Sequence, residues 1–180
     1  MRARLAASWR RWLDDRRGVA AIEFALIGPV LIILLLGCVT LFLAYRDSQD
    51  AEKATFTIAD LLSRRTDPVD NAFLDTTQQL FLKMVSRSTE RTKYRISSLT
   101  RVGGKFSVDW SYAVAPRTAL RTADIPAASL PLVADGDSLI LVETAVSYDP
   151  LFEGLGMTSG EHVNLAANRP RFIAAIAKSD

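Results

Sequence analysis

Between Phe24 and Tyr45 the chain has 22 consecutive residues without a charge. As an α-helix this stretch spans about 33 Å, the thickness of a bilayer's hydrocarbon core. Six arginines precede it: Arg2, Arg4, Arg10, Arg11, Arg16 and Arg17. An arginine excess on one flank orients a span with that flank in the cytoplasm. The expected arrangement is a basic cytoplasmic leader, one transmembrane helix and an outer domain on the far side. Two residues do not suit a plain anchor. Gly18 sits at the junction of the basic and apolar segments, and Glu23 lies just inside the apolar one. A carboxylate near a membrane helix centre costs up to roughly 3 kcal/mol, so Glu23 asks for a partner.

The length of 180 residues suits one modest domain beside the membrane helix. The net charge of +2 is unevenly spread: residues 1–18 carry +4 and the remainder −2. The pI near 8.8 therefore reports the leader and gives little support for nucleic-acid binding. The one cysteine, Cys38, lies inside the apolar run, so the outer domain has no internal disulfide.

Trp9, Trp12 and Leu13 stand among the leader's arginines. They suit either a short amphipathic helix on an anionic leaflet or a loosely ordered leader. Gly28-Pro29 predicts a kink in the span. Beyond Tyr45 the apolar residues Ala51, Ala54, Ile58, Leu61 and Leu62 keep a helical period, and no breaker precedes Asp67-Pro68. One helix from Val19 to about Arg65 would be roughly 70 Å long. Its second half would carry the outer domain. Asp67-Pro68 then reads as a new helix start, with Asp67 as N-cap and Pro68 in the first helical position. Val69, Phe73, Leu80, Phe81 and Met84 form its expected apolar stripe.

From Tyr94 the period changes to two. Tyr94, Ile96, Thr100 and Val102 alternate with polar residues; after Gly103-Gly104, so do Phe106, Val108, Trp110 and Tyr112. This predicts a β-hairpin. A two-residue Gly-Gly turn pairs Val102 with Lys105. A three-residue loop with a bulge pairs Val102 with Phe106 and Ile96 with Tyr112, and keeps the apolar sets on one face, so it is preferred. Residues 115–137, with Pro116, Pro126, Pro131 and Asp135-Gly136-Asp137, read as a long connection that wraps the domain. Ser138–Tyr148 is a third strand, with Ile140, Val142, Val146 and Tyr148 on one face and Glu143 opposite. Val163, Leu165 and Ala167 mark a short fourth strand. The fold class expected is α+β: a long transmembrane helix continuing into the outer domain, a second helix and a small antiparallel sheet.

No catalytic constellation of weight is present. His162 has no second histidine or nearby cysteine to build a metal site with. Asp135-Gly136-Asp137 lacks the spacing and closing glutamate of a calcium loop. Gly154-Leu155-Gly156 lacks the third glycine of a nucleotide loop. The reading is therefore no enzyme, no cofactor, no metal and no small-molecule substrate.

Gly18-Val19, with Glu23 five positions after the glycine, resembles a type IV prepilin processing site. Residues 16–45, from Arg16-Arg17-Gly18-Val19 through Gly28-Pro29 and the Leu/Ile run, resemble more specifically the TadE-like proteins, pseudopilins of the tight-adherence, Flp-type pilus. Val146–Phe152 and Asn168–Phe172 resemble that family's late strand and C-terminal end. The resemblance implies a pilin-like fold, cleavage between Gly18 and Val19 by a prepilin peptidase, and a non-catalytic role in pilus assembly. It implies as partners inner-membrane lipid, other pilin or pseudopilin subunits and the assembly platform. Since the family's major pilins are very short, the large outer domain favours a minor, priming or tip role. The divisions expected are a cleaved leader (1–18), a membrane helix (19–45) and a periplasmic domain (46–180). Cleavage would give Val19 a free amine four residues before Glu23, on the same helix face. Amine and carboxylate can then compensate each other, within a subunit or between staggered neighbours. The sequence also admits two alternatives. One is an unprocessed bitopic anchor that scaffolds a periplasmic partner. The other is a lipoprotein lipidated at Cys38, since Leu35-Leu36-Gly37-Cys38 resembles a lipobox. The apolar run continues past Cys38, which argues against the second.

Overall fold

The computed structural model describes residues 18–153 and 156–179. The proposed amphipathic leader around Trp9, and Gly154 and Leu155 of the glycine-containing loop, lie outside the described residues. Helix α1 runs unbroken over Val19–Ser63 and includes Pro29. Helix α2 covers Asn71–Val85. Strands β1 (Thr92–Val102), β2 (Lys105–Val114), β3 (Ser138–Tyr148) and β4 (Gly160–Asn168) follow. They form one antiparallel sheet in the order β2-β1-β3-β4. The class is α+β, with a long apolar helix, a second helix and a four-stranded sheet.

The two halves of α1 have opposite environments. Only 11% of its most apolar 18-residue window is buried, which is not the burial of a soluble core helix. Beyond Tyr45, Ala51, Ala54, Thr55, Ile58, Ala59 and Leu62 are fully buried between α2 and the sheet. The small residues let the backbones approach closely, and Thr55 Oγ1 shares a 2.7 Å hydrogen bond with Thr144 Oγ1 of β3. Leu61, read from the sequence as part of the stripe, is 39% exposed, and Thr55 takes its place on the buried face.

Helix α2 starts later than its sequence signal. Asp70, not Asp67, is the N-cap, and its side chain accepts from Phe73 N at 2.7 Å. The reason is tertiary. Val69 is fully buried and extended beside the C-terminal segment, with Val69 N donating to Ala177 O and Ser179 N to Val69 O, both at 2.9 Å. Pro68 favours the extended state in the residue before it. The buried face of α2 is Leu74, Thr77, Phe81 and Val85, whereas Leu80 is 39% exposed.

The hairpin combines both registers weighed from the sequence. Val102 pairs with Lys105 across a two-residue turn, in which Gly103 and Gly104 take φ of +59° and +78°. Ile96 nevertheless pairs with Tyr112, because the register shifts between Ser98 and Leu99. Ser98 faces Trp110 and Leu99 faces Val108, leaving Asp109 as the extra residue of a β-bulge. Its carboxylate accepts from Thr100 Oγ1 at 2.6 Å and Ser98 Oγ at 3.2 Å. The preferred bulge exists, but inside the strand instead of at the turn.

This bulge divides the apolar residues of β2 between two cores. Trp110, Tyr112 and Val114 pack on the helix side with Tyr94, Ile96, Ile140 and Val142. Phe106 and Val108 pack on the other side with Leu99, Leu139 and Leu141. The 115–137 connection covers that second side with Leu120 and Leu130, as its prolines suggested. It is tied down by charge. Arg95 donates to both oxygens of Glu143 at 2.6 and 2.7 Å, Arg117 adds a 3.3 Å contact, and Arg95 also reaches Thr118 O at 3.2 Å.

The C-terminal segment closes the helix side. Trp110 Nε1 donates to Ile176 O at 2.7 Å, Arg171 N to Ser63 O at 2.8 Å, and the Ile176 side chain is 1% exposed. Ile176→Ala is expected to destabilise the domain by about 2–5 kcal/mol, the range for a buried isoleucine that leaves a cavity. A thermal melt of the solubilised chain checks this. An unchanged midpoint would mean the tail is only draped on the surface.

Candidate functional site

Helix geometry at the basic-to-apolar junction places the three residues singled out from the sequence. Gly18 is the N-cap of α1, with φ −93° and ψ −6°, and no side chain caps the helix there. That conformation is open to any L-residue. A Cβ built on Gly18 meets no atom within 4 Å among the described residues. Neither backbone nor packing of this fold therefore requires glycine at position 18. Val19 begins the helix and is 46% exposed. Glu23 follows four residues later on the same face, also exposed. Its neighbours Ile22 and Phe24 are 63% and 76% exposed, so this end of α1 offers a bare apolar surface with one carboxylate in it.

The other chemistry-bearing residues are placed apart from this segment. Cys38 is an exposed thiol in mid-helix, with α1 continuing on both sides. His162 lies on the edge strand β4, with its ring stacked on that of Tyr148 at 4.4 Å between centroids. Burial pulls its pKa below the ordinary histidine value, opposed by nearby Asp47 and reinforced by Arg87. Asp149 is held below the usual carboxylate range by hydrogen bonds from Arg91 and then Ser159. No cluster of three or more His, Cys, Asp or Glu able to hold a metal occurs among the described residues.

Sequence reasoning missed how the outer domain meets the span. Helix α2 runs back toward the apolar half of α1, and just beyond its end Arg87 pairs with Asp47 of α1. Beside them, Tyr148–Leu151 and α1 residues Thr40, Leu43 and Ala44 line a shared cleft of about 240 Å³. The signal available in the sequence was Gly37 and Thr40, small residues in a stripe of large ones.

The family model described as TadE-like protein matches residues 18–60. This segment is TadE-like. The match begins at Gly18, covers Val19, Glu23 and the whole apolar run, and ends within the buried half of α1. It associates the chain with the Tad/Flp pilus system, whose TadE-like members are structural components of pilus assembly. The helix it covers is long and apolar enough to cross a membrane once. No curated protein and no solved structure matches the chain.

Proposed function

We propose that this TadE-like chain is a minor pseudopilin of a Tad/Flp pilus. In this reading it enters the inner membrane with residues 1–18 in the cytoplasm, is cut after Gly18 by a prepilin peptidase, and primes or joins the pilus. Residues 19–45 form the span and 46–180 the periplasmic domain. The orientation rests on the six leader arginines, against a nearly charge-balanced stretch after Tyr45.

The observation that carries the reading is Gly18 itself. The fold makes no demand for glycine there. The residue's smallness then serves something outside the folded chain, and a protease cleft at a junction followed by Glu23 at the pilin spacing supplies that need. The span's exposed surface suits lateral packing against other pilin helices in lipid. Its partners are then the peptidase, the assembly platform and other subunits. Its role is structural.

The mature chain is expected to begin at Val19 and to have 162 residues against 180 in the precursor. Intact-mass and N-terminal analysis of the membrane-extracted protein decides it. A mature start at Met1 sinks the pseudopilin reading in favour of a plain anchor, and a lipidated Cys38 would make the chain a lipoprotein.

A further inference from the structure

We propose that the cleft between α1 and the end of β3 binds the phosphodiester headgroup of an anionic phospholipid, with Arg46 and Arg87 as its cations. The inference rests on α1 crossing a membrane, as in the reading above. Its starting point is the lining of that cleft of about 240 Å³. Along α1 the lining changes character over about 10 Å. Leu43 and Ala44 come first, then Arg46 and Asp47, and Arg87 joins them from just beyond α2. Arg46 is also the first charged residue after the uncharged run. A helix that leaves hydrocarbon at Tyr45 brings these cations to the level of the lipid headgroups.

The two guanidinium groups are under-used by the fold. Each carries five N–H donors in a planar fork that matches phosphate oxygens. Among the described residues the Arg87 side chain donates only to Asp47, and its Nε is buried with no partner. Arg46 is 60% exposed, and its contact with Asp47 is 4.0 Å, beyond hydrogen-bond reach. The cleft's second carboxylate, Asp149, is taken by Arg91, which lies outside the lining. These ion pairs therefore set three cations against two carboxylates. One positive charge and several donors are left for an acceptor that the chain does not supply.

The apolar wall selects lipid over a free phosphate. Leu43, Ala44 and Leu151 line the same cleft as the cations, and Leu151 is 64% exposed. A free phosphate leaves that wall uncovered, whereas the glycerol and first methylenes of a phospholipid cover it. The wall is continuous along α1 with the uncharged run, so acyl chains can follow the span while the phosphate stays with Arg46 and Arg87. Charge selects the headgroup. A phosphodiester with a neutral alcohol carries one negative charge and balances the surplus cation. The ammonium of a zwitterionic headgroup needs a free carboxylate, and Asp47 and Asp149 are both already paired.

The test titrates the full chain, in mild detergent, with dioctanoyl phosphatidylglycerol, dioctanoyl phosphatidylethanolamine or inorganic phosphate, and counts bound species by native mass spectrometry. The wild type is expected to hold phosphatidylglycerol about tenfold more tightly than phosphatidylethanolamine, the size of one charge-assisted hydrogen bond. Arg46→Gln should weaken phosphatidylglycerol by about the same factor. That side chain makes no hydrogen bond the fold depends on. Arg87→Gln with Asp47→Asn removes the buried pair together, which spares the fold, and should have a similar effect. Arg121→Gln, 82% exposed and outside the cleft, should change nothing. Equal retention of the two lipids, or wild-type retention by Arg46→Gln, overturns the site. Displacement of phosphatidylglycerol by an equal concentration of inorganic phosphate overturns lipid as its occupant. Carbonate extraction of vesicles carrying the chain reads the span separately. A chain that resists extraction yet shows no lipid preference loses only the site, whereas one that is extracted loses the membrane reading and the site with it.

Discussion

Gly18→Leu is expected to leave the chain at its full 180 residues, with no processed species, while Glu23→Gln is processed almost as wild type but fails to enter the pilus. The first half follows from size. A leucine at position 18 fills the space that a scissile glycine leaves empty in a protease. Since a Cβ there meets nothing among the described residues and φ is −93°, a loss of processing does not come from backbone strain or a Cβ clash in that part of the chain. Gly18→Ala tests the same point with a smaller group and should be cut more slowly. The second half follows from charge. Glu23→Gln keeps the shape of the side chain and removes its charge. Once Val19 bears a free amine, the amine and the carboxylate can offset each other at low dielectric. Leaving one charge of a buried pair uncompensated typically costs 3–5 kcal/mol, and less where water reaches it. Glu23→Asp retains the charge with a shorter reach and should fall between. Mass reports processing, and co-purification with sheared or membrane-bound subunits reports incorporation. Wild-type incorporation of processed Glu23→Gln would reduce Glu23 to a boundary carboxylate.

The largest effect on stability is expected at Glu143. Its side chain is 10% exposed and holds two cations, Arg95 (14% exposed) and Arg117 (22% exposed). Glu143→Ala strands both guanidinium groups on the covered side of the sheet. The expected loss is about 3–5 kcal/mol, a fall in melting temperature on the order of 10 °C for a domain of this size. Glu143→Gln keeps an acceptor for Arg95 and should lose less. Arg95→Met and Arg117→Met with Glu143→Leu removes the three charges together and should recover much of the loss, since apolar replacements of buried ion pairs and triads are often neutral. The exposed pair Arg121–Asp124, at 82% and 50% exposure, is the control: Asp124→Ala should change stability by at most about 1 kcal/mol. If Glu143→Ala behaves like that control, the cluster does not hold the 115–137 connection to the sheet. Tm measurements on the solubilised chain read all four variants.

Much of the fold was legible because it is written in local periods. The uncharged run fixed α1 as a membrane-length helix. The absence of a breaker before Asp67 fixed its continuation, which ends within two residues of the expected Arg65. The alternation in Ser138–Tyr148 gave β3 its observed bounds. In the candidate site, Gly18, Val19 and Glu23 are neighbours in sequence, so helix spacing alone put Val19 and Glu23 on one face.

What remained hidden depends on residues far apart in the chain. Asp67-Pro68 carries the local signature of a helix start, yet Val69 is claimed by Ala177 and Ser179, and the helix waits for Asp70. Phe106, Val108, Trp110 and Tyr112 share one period, yet they serve opposite faces because Asp109 bulges toward Ser98 and Thr100. A one-residue offset changes which face every later side chain occupies, and only packing on both sides of the sheet decides where the offset falls. Met157 likewise lines one cleft with Leu34 and Leu41 of α1, residues that no sequence spacing relates to it. The sequence by itself determined the periodic elements and the placing of Val19 and Glu23 on one helix face, because both are set within a few residues. The tertiary structure decided the helix start, the bulge and the meeting of outer domain and span, because each is a competition for one buried surface between segments that sequence spacing does not relate.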